Sequence, residues 1–215
     1  MNKIFILITI LSVSIMNSFA QDADPENGDY REQLQFGLKA GVNVSNIYDT
    51  QGENTSADSK VGFVGGAFLS IPIGKFLGLQ PELLYSQKGF VFNSSVSGVP
   101  YSFSRSTDYL VVPLLGQIKP SKFVTIVAGP QFAYLIHKSD TYDYGALTVQ
   151  QQTDVQNNNI RKNTLGIVGG VDFNINFFLI SLRVGGDIQN NNGDGTATSP
   201  RYKNIWFQTT VGLKF

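Results

Sequence analysis

Charged side chains recur at the polar positions of segments that otherwise alternate between apolar and polar residues. Successive side chains of a β-strand point to opposite faces, so these charges would share one face while aliphatic residues occupy the other. Opposite charges enclosed together should pair, because a lone buried charge is costly. The residues that this pattern assigns to a common interior are Lys39, Glu82, Lys88, Asp172, Arg183, Asp187 and Lys214, together with Gln80, Gln117, Gln131 and Gln208.

The only histidine offers little for catalysis. His137 is followed by Lys138, Ser139 and Asp140. Neighbours along a strand point to alternating faces, so they are not placed to align and activate a nucleophile. Action on a lipid at the outer rim is the weaker interpretation of this cluster, and a polar strand end is the stronger one. The sequence therefore predicts no enzyme activity and no catalytic residue.

Metal and cofactor sites have similarly thin support. Residues 190–195, Asn-Asn-Asn-Gly-Asp-Gly, resemble the first half of a calcium loop. The position that needs a bidentate glutamate is Arg201, which would repel a cation. The chain contains no cysteine, which excludes disulfides and thiolate ligands. We predict no metal and no cofactor.

Eight alternating segments would carry the interior residues. In the first of them every second residue from Leu34 to Val44 is apolar, which a helical period would not produce. The predicted strands are 34–45, 61–73, 77–92, 108–119, 122–138, 160–174, 177–189 and 202–215. Their connections alternate between long and short: 48–60, 93–107, 139–159 and 190–201 are long, and 72–76, 120–121 and 175–176 are short.

This alternation predicts the architecture. Consecutive turns of an antiparallel barrel lie on opposite rims, so the short turns would share the periplasmic rim and the long loops the outer rim. The expected fold is all-β, an eight-stranded antiparallel up-and-down transmembrane β-barrel. Such a barrel is just wide enough to be filled by side chains. A salt-bridged plug is therefore favoured for the interior charges over the alternative, a narrow ion or proton path.

Glycines recur on the same interior face. We interpret them as space for large neighbours and for strand curvature rather than as sites of ligand approach. They are Gly37, Gly41, Gly62, Gly66, Gly166, Gly170 and Gly185.

Both ends of the sequence indicate export to the bacterial outer membrane. An apolar run from Ile4 to Met16 follows Lys3, and Ser18–Ala20 supplies small residues for cleavage. The run is shorter than the roughly 20 residues that a spanning helix needs. We expect residues 1–20 to be a signal peptide, 21–33 a flexible periplasmic segment and 34–215 the barrel domain. The C-terminal strand carries an alternating apolar series that we interpret as the signal for barrel assembly: Phe207, Val211, Leu213 and Phe215.

The charge balance and the aromatic residues restrict the kinds of partner that the sequence predicts. Lys and Arg total 16 and Asp and Glu total 16, so there is no basic excess for nucleic acid. Residues 94–103 and 142–145 mix tyrosine with small polar residues, a composition suited to adaptable contacts. Aromatic belts should lie at both membrane interfaces. The candidates are Phe76, Phe123, Phe177 and Phe215 on the periplasmic side, and Phe90, Tyr109, Tyr134 and Trp206 on the outer side.

Three segments resemble a known family. They are Gly37–Ser45 (GLKAGVNVS), Leu79–Gly89 (LQPELLYSQKG), which is the most specific, and Tyr109–Leu115 (YLVVPLL). The chain resembles the PorT-like outer-membrane β-barrel proteins common in Bacteroidetes. Val111 and Val184 depart from that pattern, which usually has an acidic residue and a tyrosine there. The resemblance implies an eight-stranded barrel and leaves the function open.

The function expected from these observations is that of a monomeric, non-enzymatic barrel. It would act as a structural, interaction or secretion-accessory component of the cell envelope. The expected partners are outer-membrane lipid, the barrel-assembly machinery during insertion, and envelope or secretion proteins. The competing interpretations are a small pore, a lipid-modifying barrel enzyme and a soluble lipocalin-like carrier.

Overall fold

The computed structural model describes residues 29–49, 57–96, 99–144, 147–152, 160–192 and 202–215. The predicted signal peptide and residues 21–28 of the N-terminal segment lie outside these ranges. The candidate calcium loop lies outside them from residue 193 onward, and so does the position of Arg201. Among the described residues no helix is long and apolar enough to cross a membrane.

Nine antiparallel strands make up the described structure. They are β1 (Gln35–Asp49), β2 (Ala57–Pro72), β3 (Leu77–Val96), β4 (Val99–Ile118), β5 (Val124–Tyr144), β6 (Leu147–Gln152), β7 (Asn163–Ile175), β8 (Phe178–Asp187) and β9 (Tyr202–Lys214). Eight of them close into a ring in which β5 pairs with β7 and β9 pairs with β1. The predicted eight-stranded barrel is confirmed. The short strand β6 pairs only with the outer end of β5.

Side-chain exposure alternates along the strands as the period of two requires. In β9, Trp206 is 3% exposed and its neighbour Phe207 is 49% exposed. In β4, Val111 is buried and its neighbours Leu110 and Val112 are exposed. An exposed aliphatic band outside and a buried, partly polar interior are the arrangement of a barrel in lipid. The buried face of every strand therefore lines the lumen.

The outer ends of the strands differ most from the prediction. Residues 93–107 and 139–159 were expected to be long loops, but β3 and β4 pair as far as Val96 and Val99, and β5 continues to Tyr144 before returning as β6. We call the part of β3, β4, β5 and β6 that extends beyond the ring the outer sheet. Its serines and threonines form one face of amphipathic strands, and this composition led to the wrong prediction of loops.

The predicted aromatic belt agrees with the structure at the periplasmic interface only. Phe76, Phe123 and Phe177 are 56–60% exposed and Phe215 is 70% exposed at the periplasmic rim. On the outer side Tyr134 is 49% exposed. Three other predicted belt residues are buried in the lumen because each lies at an inward register position: Phe90, Tyr109 and Trp206. The outer belt prediction is therefore wrong at those three positions.

The periplasmic turns are short, and one needs an unusual backbone conformation. Asn176, between β7 and β8, has a φ of 52°, in the left-handed region that asparagine tolerates better than most residues. The preceding Asn174 donates from its side chain to Thr125 Oγ1 over 3.1 Å, which ties the turn to β5. These features keep the β7–β8 turn short and hold it at the periplasmic rim.

A close approach between β7 and β8 requires glycine at position 170. A Cβ atom there would overlap the Leu182 carbonyl oxygen and would lie 2.9 Å from Arg183 Cδ. The next residue, Gly169, has no such restriction, because its nearest atom would be the Val127 carbonyl oxygen at 3.5 Å. The two glycines thus form a matched pair on opposite faces of one strand.

We predict that Gly170→Ala lowers the temperature at which the folded barrel unfolds on a semi-native gel. Overpacking of this kind typically costs about 1–3 kcal/mol. Gly169→Ala should leave the unfolding temperature near that of the wild type. Equal unfolding temperatures for the two variants would contradict the close packing of β7 on β8.

Candidate functional site

The centre of the lumen contains a chain of ion pairs that we call the lumen network. Lys39 Nζ lies 2.7 Å from Glu82 Oε2, and Arg183 Nη2 lies 3.8 Å from Glu82 Oε1. Arg183 Nη1 lies 2.6 Å from Asp172 Oδ1. All four side chains are at most 2% exposed. Two cations and two carboxylates therefore form a neutral unit, which is the condition under which buried charges are tolerated.

This network joins opposite walls of the barrel. Glu82 is on β3 and Arg183 on β8, and three strands, β2, β1 and β9, separate them around the ring. Asp172 lies on β7, beside β8, and Lys39 lies on β1. The Glu82–Arg183 contact therefore crosses the lumen, while Asp172 holds the arginine from its neighbouring strand. Arg183 Nη1 also donates to the carbonyls of Val171 (3.2 Å) and Leu182 (3.3 Å).

A layer of amides lies next to the network on its periplasmic side. Gln80 Nε2 donates to Glu82 Oε1 over 2.7 Å, and Gln117 Nε2 donates to Gln80 Oε1. Ser70 Oγ donates to Gln117 Oε1 over 3.0 Å. These side chains are 2–4% exposed. The amides extend the hydrogen bonding from the ion pairs to the wall and fill the remaining lumen.

Three of the charged residues predicted to lie inside do not join an ion pair in the described part of the chain. Lys88 Nζ lies 3.4 Å from the centroid of the Trp206 ring and 5.3 Å from that of Tyr109. Asp187 accepts hydrogen bonds from the backbone nitrogen of Asn204 (3.3 Å) and from its side-chain amide. These contacts are cation–π and amide contacts, in place of the pairs of opposite charges that we expected.

The third of these residues is Lys214, near the periplasmic rim. Its Nζ donates to Asn174 Oδ1 over 2.9 Å. All seven charged residues that the sequence assigned to the interior are buried, with Lys214 the least so at 9% exposed. The structure thus brings four of them together in the lumen network and places Lys88 and Asp187 outward of it.

An ionic and aromatic cluster lies at the base of the outer sheet. Arg105 binds Asp140 in a bidentate manner, with Nε–Oδ1 at 2.7 Å and Nη2–Oδ2 at 2.8 Å. Lys138 Nζ lies 3.0 Å from Asp140 Oδ2, and Arg105 Nη1 donates to the Tyr202 hydroxyl over 3.2 Å. The guanidinium carbon lies 5.1 Å from the centroid of the Phe103 ring. This cluster connects β4, β5 and β9 above the membrane.

The electrostatics of Asp140 reflect that cluster. Burial alone would raise the pKa of this carboxyl, but the hydrogen bonds and positive charges of Arg105 and Lys138 outweigh burial and hold the pKa below its ordinary value. Asp140 lies outward of Tyr134, the exposed aromatic residue on β5, so it is beyond the bilayer. The carboxylate is therefore charged throughout the physiological range.

One face of the outer sheet is apolar and aromatic. Residues directly opposite each other in neighbouring strands share a face, and the pairs Tyr101–Tyr144 and Phe103–Tyr142 are opposite. Their ring centroids are 5.0 Å apart in both pairs. Val99 and Val149 belong to the same face by register. We call this surface the aromatic face, and it continues inward through Arg105 and Phe90 into the lumen.

The residues of this outer region were not predicted from the sequence. Arg105 and Tyr142 were placed in loops because small polar residues surround them. Their period of two, from Tyr101 through Phe103 to Arg105, was the signal that could have revealed a strand. Asp140 was noted only beside His137 as a weak catalytic candidate.

The candidate catalytic cluster is not assembled. His137 is exposed and pairs through the backbone with Asp108 at a β-bulge. The Asp140 carboxylate is occupied by Arg105 and Lys138. Within the described ranges no group of three or more metal-ligating side chains comes together. Asn191, from the candidate calcium loop, is instead buried, and its backbone nitrogen donates to the Tyr202 carbonyl over 2.8 Å.

A cavity of about 100 Å³ opens at the periplasmic end of the lumen, and we call it the periplasmic mouth. It reaches inward to Gln80 and Asp172, where the lumen network begins. Residues 29–33, the described part of the segment expected to be flexible, lie beside this mouth. Arg31 binds Asp29 at 2.7 Å, and Lys119 Nζ donates to the Arg31 carbonyl over 3.0 Å.

The charges at this rim perturb one another. The pKa of Asp29 is lowered to about 2, chiefly by its hydrogen bond with Arg31. The pKa of Lys119, at the turn after β4, is lowered by burial and by the nearby Arg31 charge. A lysine in that environment gains from an anion placed beside it. The periplasmic mouth is thus electropositive.

Several solved outer-membrane barrels are similar to the chain in fold. The attachment invasion locus protein Ail of Yersinia pestis is 12% identical, with 84% of this chain and 98% of that chain covered and a TM-score of 0.46. Neisserial surface protein A is 14% identical, with 84% and 97% covered and a TM-score of 0.46. OprG from Pseudomonas aeruginosa is 12% identical, with 84% and 95% covered and a TM-score of 0.40. No curated protein matches the chain.

Residues 19–188 match the family model described as outer membrane protein beta-barrel domain. That match covers most of the chain and agrees with the closed ring of eight antiparallel strands. The chain therefore belongs to the outer membrane protein beta-barrel domain family and is a protein of the bacterial outer membrane.

Proposed function

We propose that this protein is a non-enzymatic component of the cell envelope that binds other envelope proteins through the aromatic face of its outer sheet. The observation that carries the proposal is an apolar surface presented to water beyond the bilayer. Val99 is 44% exposed, Tyr144 is 48% exposed and Val149 is 56% exposed. Exposed apolar surface away from lipid is typical of an interaction site.

The chemistry of this face suits protein recognition. Tyrosine and phenylalanine supply large contact areas with few rotatable bonds, so ordering them on binding costs little entropy. The opposite face of the same sheet carries small polar residues, because Ser102 lies opposite Asp143 and Ser104 opposite Thr141. The outer sheet is thus amphipathic, with an aromatic face and an opposite polar face.

The base of the outer sheet is rigidly held, which favours a preformed surface. The bidentate Arg105–Asp140 pair joins β4 to β5, and Lys60 Nζ on β2 donates to Ser104 Oγ over 2.8 Å and to Ser106 Oγ over 2.6 Å. A rigid surface loses less conformational entropy on association than a flexible loop does.

The lumen network supports an interaction role over a pore, which is the first alternative. The ion pairs and amides fill the lumen between Glu82 and Ser70, and moving any one of these groups would expose an unpaired charge or amide. The second alternative, a lipid-modifying enzyme, would need a nucleophile or base with an aligned partner, and His137 has none in the described contacts. We also propose the finer assignment to the PorT-like group, as a monomer with a secretion-accessory role, on the three segments that resemble it.

The aromatic face can be tested by site-specific photo-crosslinking in cells. A photoreactive residue in place of Tyr144 should form crosslinks to a protein, because this side chain is 48% exposed on the aromatic face. The same residue in place of the adjacent Asp143, on the opposite face, is the matched control and should form few. A Tyr144→Asp and Val149→Asp variant should lose the partner in affinity isolation from outer membranes. Equal crosslinking from both positions, or retention of the partner by the variant, would contradict the proposal.

Removing the arginine of the lumen network should destabilise the barrel. Arg183→Ala leaves Asp172 without its 2.6 Å partner, and breaking a buried pair in this way costs about 3–5 kcal/mol. The unfolding temperature on a semi-native gel should fall, while Arg161→Ala at the outer rim should change it little. The wild type should show no steady conductance in a planar bilayer. Unchanged heat resistance of the variant, or large steady openings of the wild type, would show that the lumen is not sealed by this network.

The Arg105–Asp140 pair should make the outer sheet sensitive to acid. Because the folded state lowers the pKa of Asp140, the pair contributes its full stability above the ordinary aspartate pKa of about 3.9 and loses it as the pH falls through the lowered value. Hydrogen exchange at the amide of Phe103, corrected for intrinsic rates, should accelerate only in that acidic window. Asp140→Asn should exchange faster at neutral pH and lose the pH dependence. A wild-type transition near neutral pH would assign the stability to another group.

A further inference from the structure

Two adjoining cavities meet at the periplasmic rim. The periplasmic mouth, of about 100 Å³, lies inside the barrel. A second cavity of about 220 Å³, which we call the rim cavity, lies at the edge of the barrel. The residues that line both are Tyr30, Gln35, Asn176 and Lys214. A ligand bound at Lys214 could therefore extend from the lumen to the membrane-facing edge.

The mouth has an excess of positive charge. Among the described residues that line it are four cations, Arg31, Lys119, Lys122 and Lys214, and one carboxylate, Asp172. The local acids are already engaged, because Asp29 binds Arg31 at 2.7 Å and Asp172 binds Arg183 at 2.6 Å. The other acid among the described residues of this segment, Glu32, has an exposed side chain and does not line the cavity. Within the described residues, Lys119 and Lys214 therefore make no ion pair at the mouth.

Two of the lysines at the mouth use neutral acceptors. Lys119, which is 4% exposed, donates to the Arg31 carbonyl, and Lys214 donates to Asn174 Oδ1. Each ammonium carries three donors, so both can donate further hydrogen bonds to an anion. A cavity needs about 10–15 Å³ to hold one water, and the mouth is large enough for a tetrahedral oxyanion. The geometry favours a phosphate group.

The rim cavity has the opposite character. It is lined by Leu34, Phe177 and Phe215, which are 37%, 56% and 70% exposed at the level of the periplasmic belt. These side chains face the acyl region of the inner leaflet. The backbone there is fixed, because Lys214 N donates to the Phe177 carbonyl over 2.8 Å and Phe215 N donates to the Phe36 carbonyl over 2.7 Å. An apolar groove therefore leads from the membrane to Lys214.

We infer that the periplasmic mouth binds the phosphate headgroup of an anionic phospholipid of the inner leaflet, whose acyl chains lie in the rim cavity. Lys119 and Lys214 contact the phosphate, and Phe177 and Phe215 contact the first methylene groups. A basic site joined to an apolar groove matches both parts of a phospholipid, whereas a soluble anion would use only the first part. The site is separate from the aromatic face and does not depend on the function proposed for it.

The test uses the full chain reconstituted in nanodiscs that contain phosphatidylethanolamine and phosphatidylglycerol, followed by native mass spectrometry. The wild type should retain one phosphatidylglycerol molecule. Lys119→Gln and Lys214→Gln should each reduce the retained fraction by about fivefold, as expected for one lysine near an anionic headgroup. Lys119→Arg should restore it. Lys75→Gln, an exposed rim lysine that does not line either cavity, is the matched control.

Two further measurements keep the inference falsifiable. A semi-native gel must show that each glutamine variant is folded, and Phe177→Ser should reduce lipid retention without altering charge. Titration with inorganic phosphate separates the two sources of the anion. Phosphate binding with no retained phospholipid would overturn the assignment to a lipid. An equal loss in Lys75→Gln, or full retention in the Lys119 and Lys214 variants, would overturn the site itself.

Discussion

Closure of the strand ring is the constraint on which the rest of the structure depends. A bilayer offers no water to backbone groups, so every strand must pair on both sides, and β1 must meet β9. Phe36 N donates to the Phe215 carbonyl over 3.0 Å and Phe215 N donates back over 2.7 Å, which closes the ring at its periplasmic edge. With only eight strands, closure leaves a lumen as wide as a few side chains. All inward residues must then be mutually compatible in size and charge.

The lumen meets that requirement in two different ways. At the centre of the lumen, Lys39, Glu82 and Arg183 neutralise one another with Asp172, and the Gln80 amide donates to Glu82. Farther out, Lys88 lies against the faces of Trp206 and Tyr109. An aromatic face attracts a cation without presenting a carboxylate that would itself need partners. Large rings also fill volume, so the outward half of the lumen combines packing with charge stabilisation.

The period of two made the fold and the inward residues predictable. The odd or even position of a residue in the alternation, which we call its parity, is enough to place Glu82, Arg183 and Lys39 inside the barrel. A shift of one residue would turn every apolar side chain of the strand to the wrong face. Parity does not specify which inward residues lie at the same height. That information comes from strand register and stagger, which is why Lys88 and Asp187 were expected to pair with opposite charges. Trp206 was assigned to the lipid face from residue type, although its own parity pointed inward.

The outer sheet shows a different limit of sequence patterns. Serine and threonine are common in turns, and in residues 93–107 they outnumber the apolar residues, so strand and loop look alike. What keeps these residues extended is pairing with β5 and the Arg105–Asp140 bridge, which joins positions that are 35 residues apart. Contacts at that separation are invisible to local composition.

The filled lumen also determines where interactions with other molecules can occur. The outer end offers an aromatic surface that water cannot hydrate favourably, and the periplasmic end offers Lys119 and Lys214, which make no ion pair among the described residues. The ion pairs between the two ends are neutral as a group, so they need no counter-charge from either end. A rigid, closed middle therefore separates two chemically distinct surfaces, and a change at one end can reach the other only through a barrel that resists deformation. For this reason the two ends can be altered and tested independently.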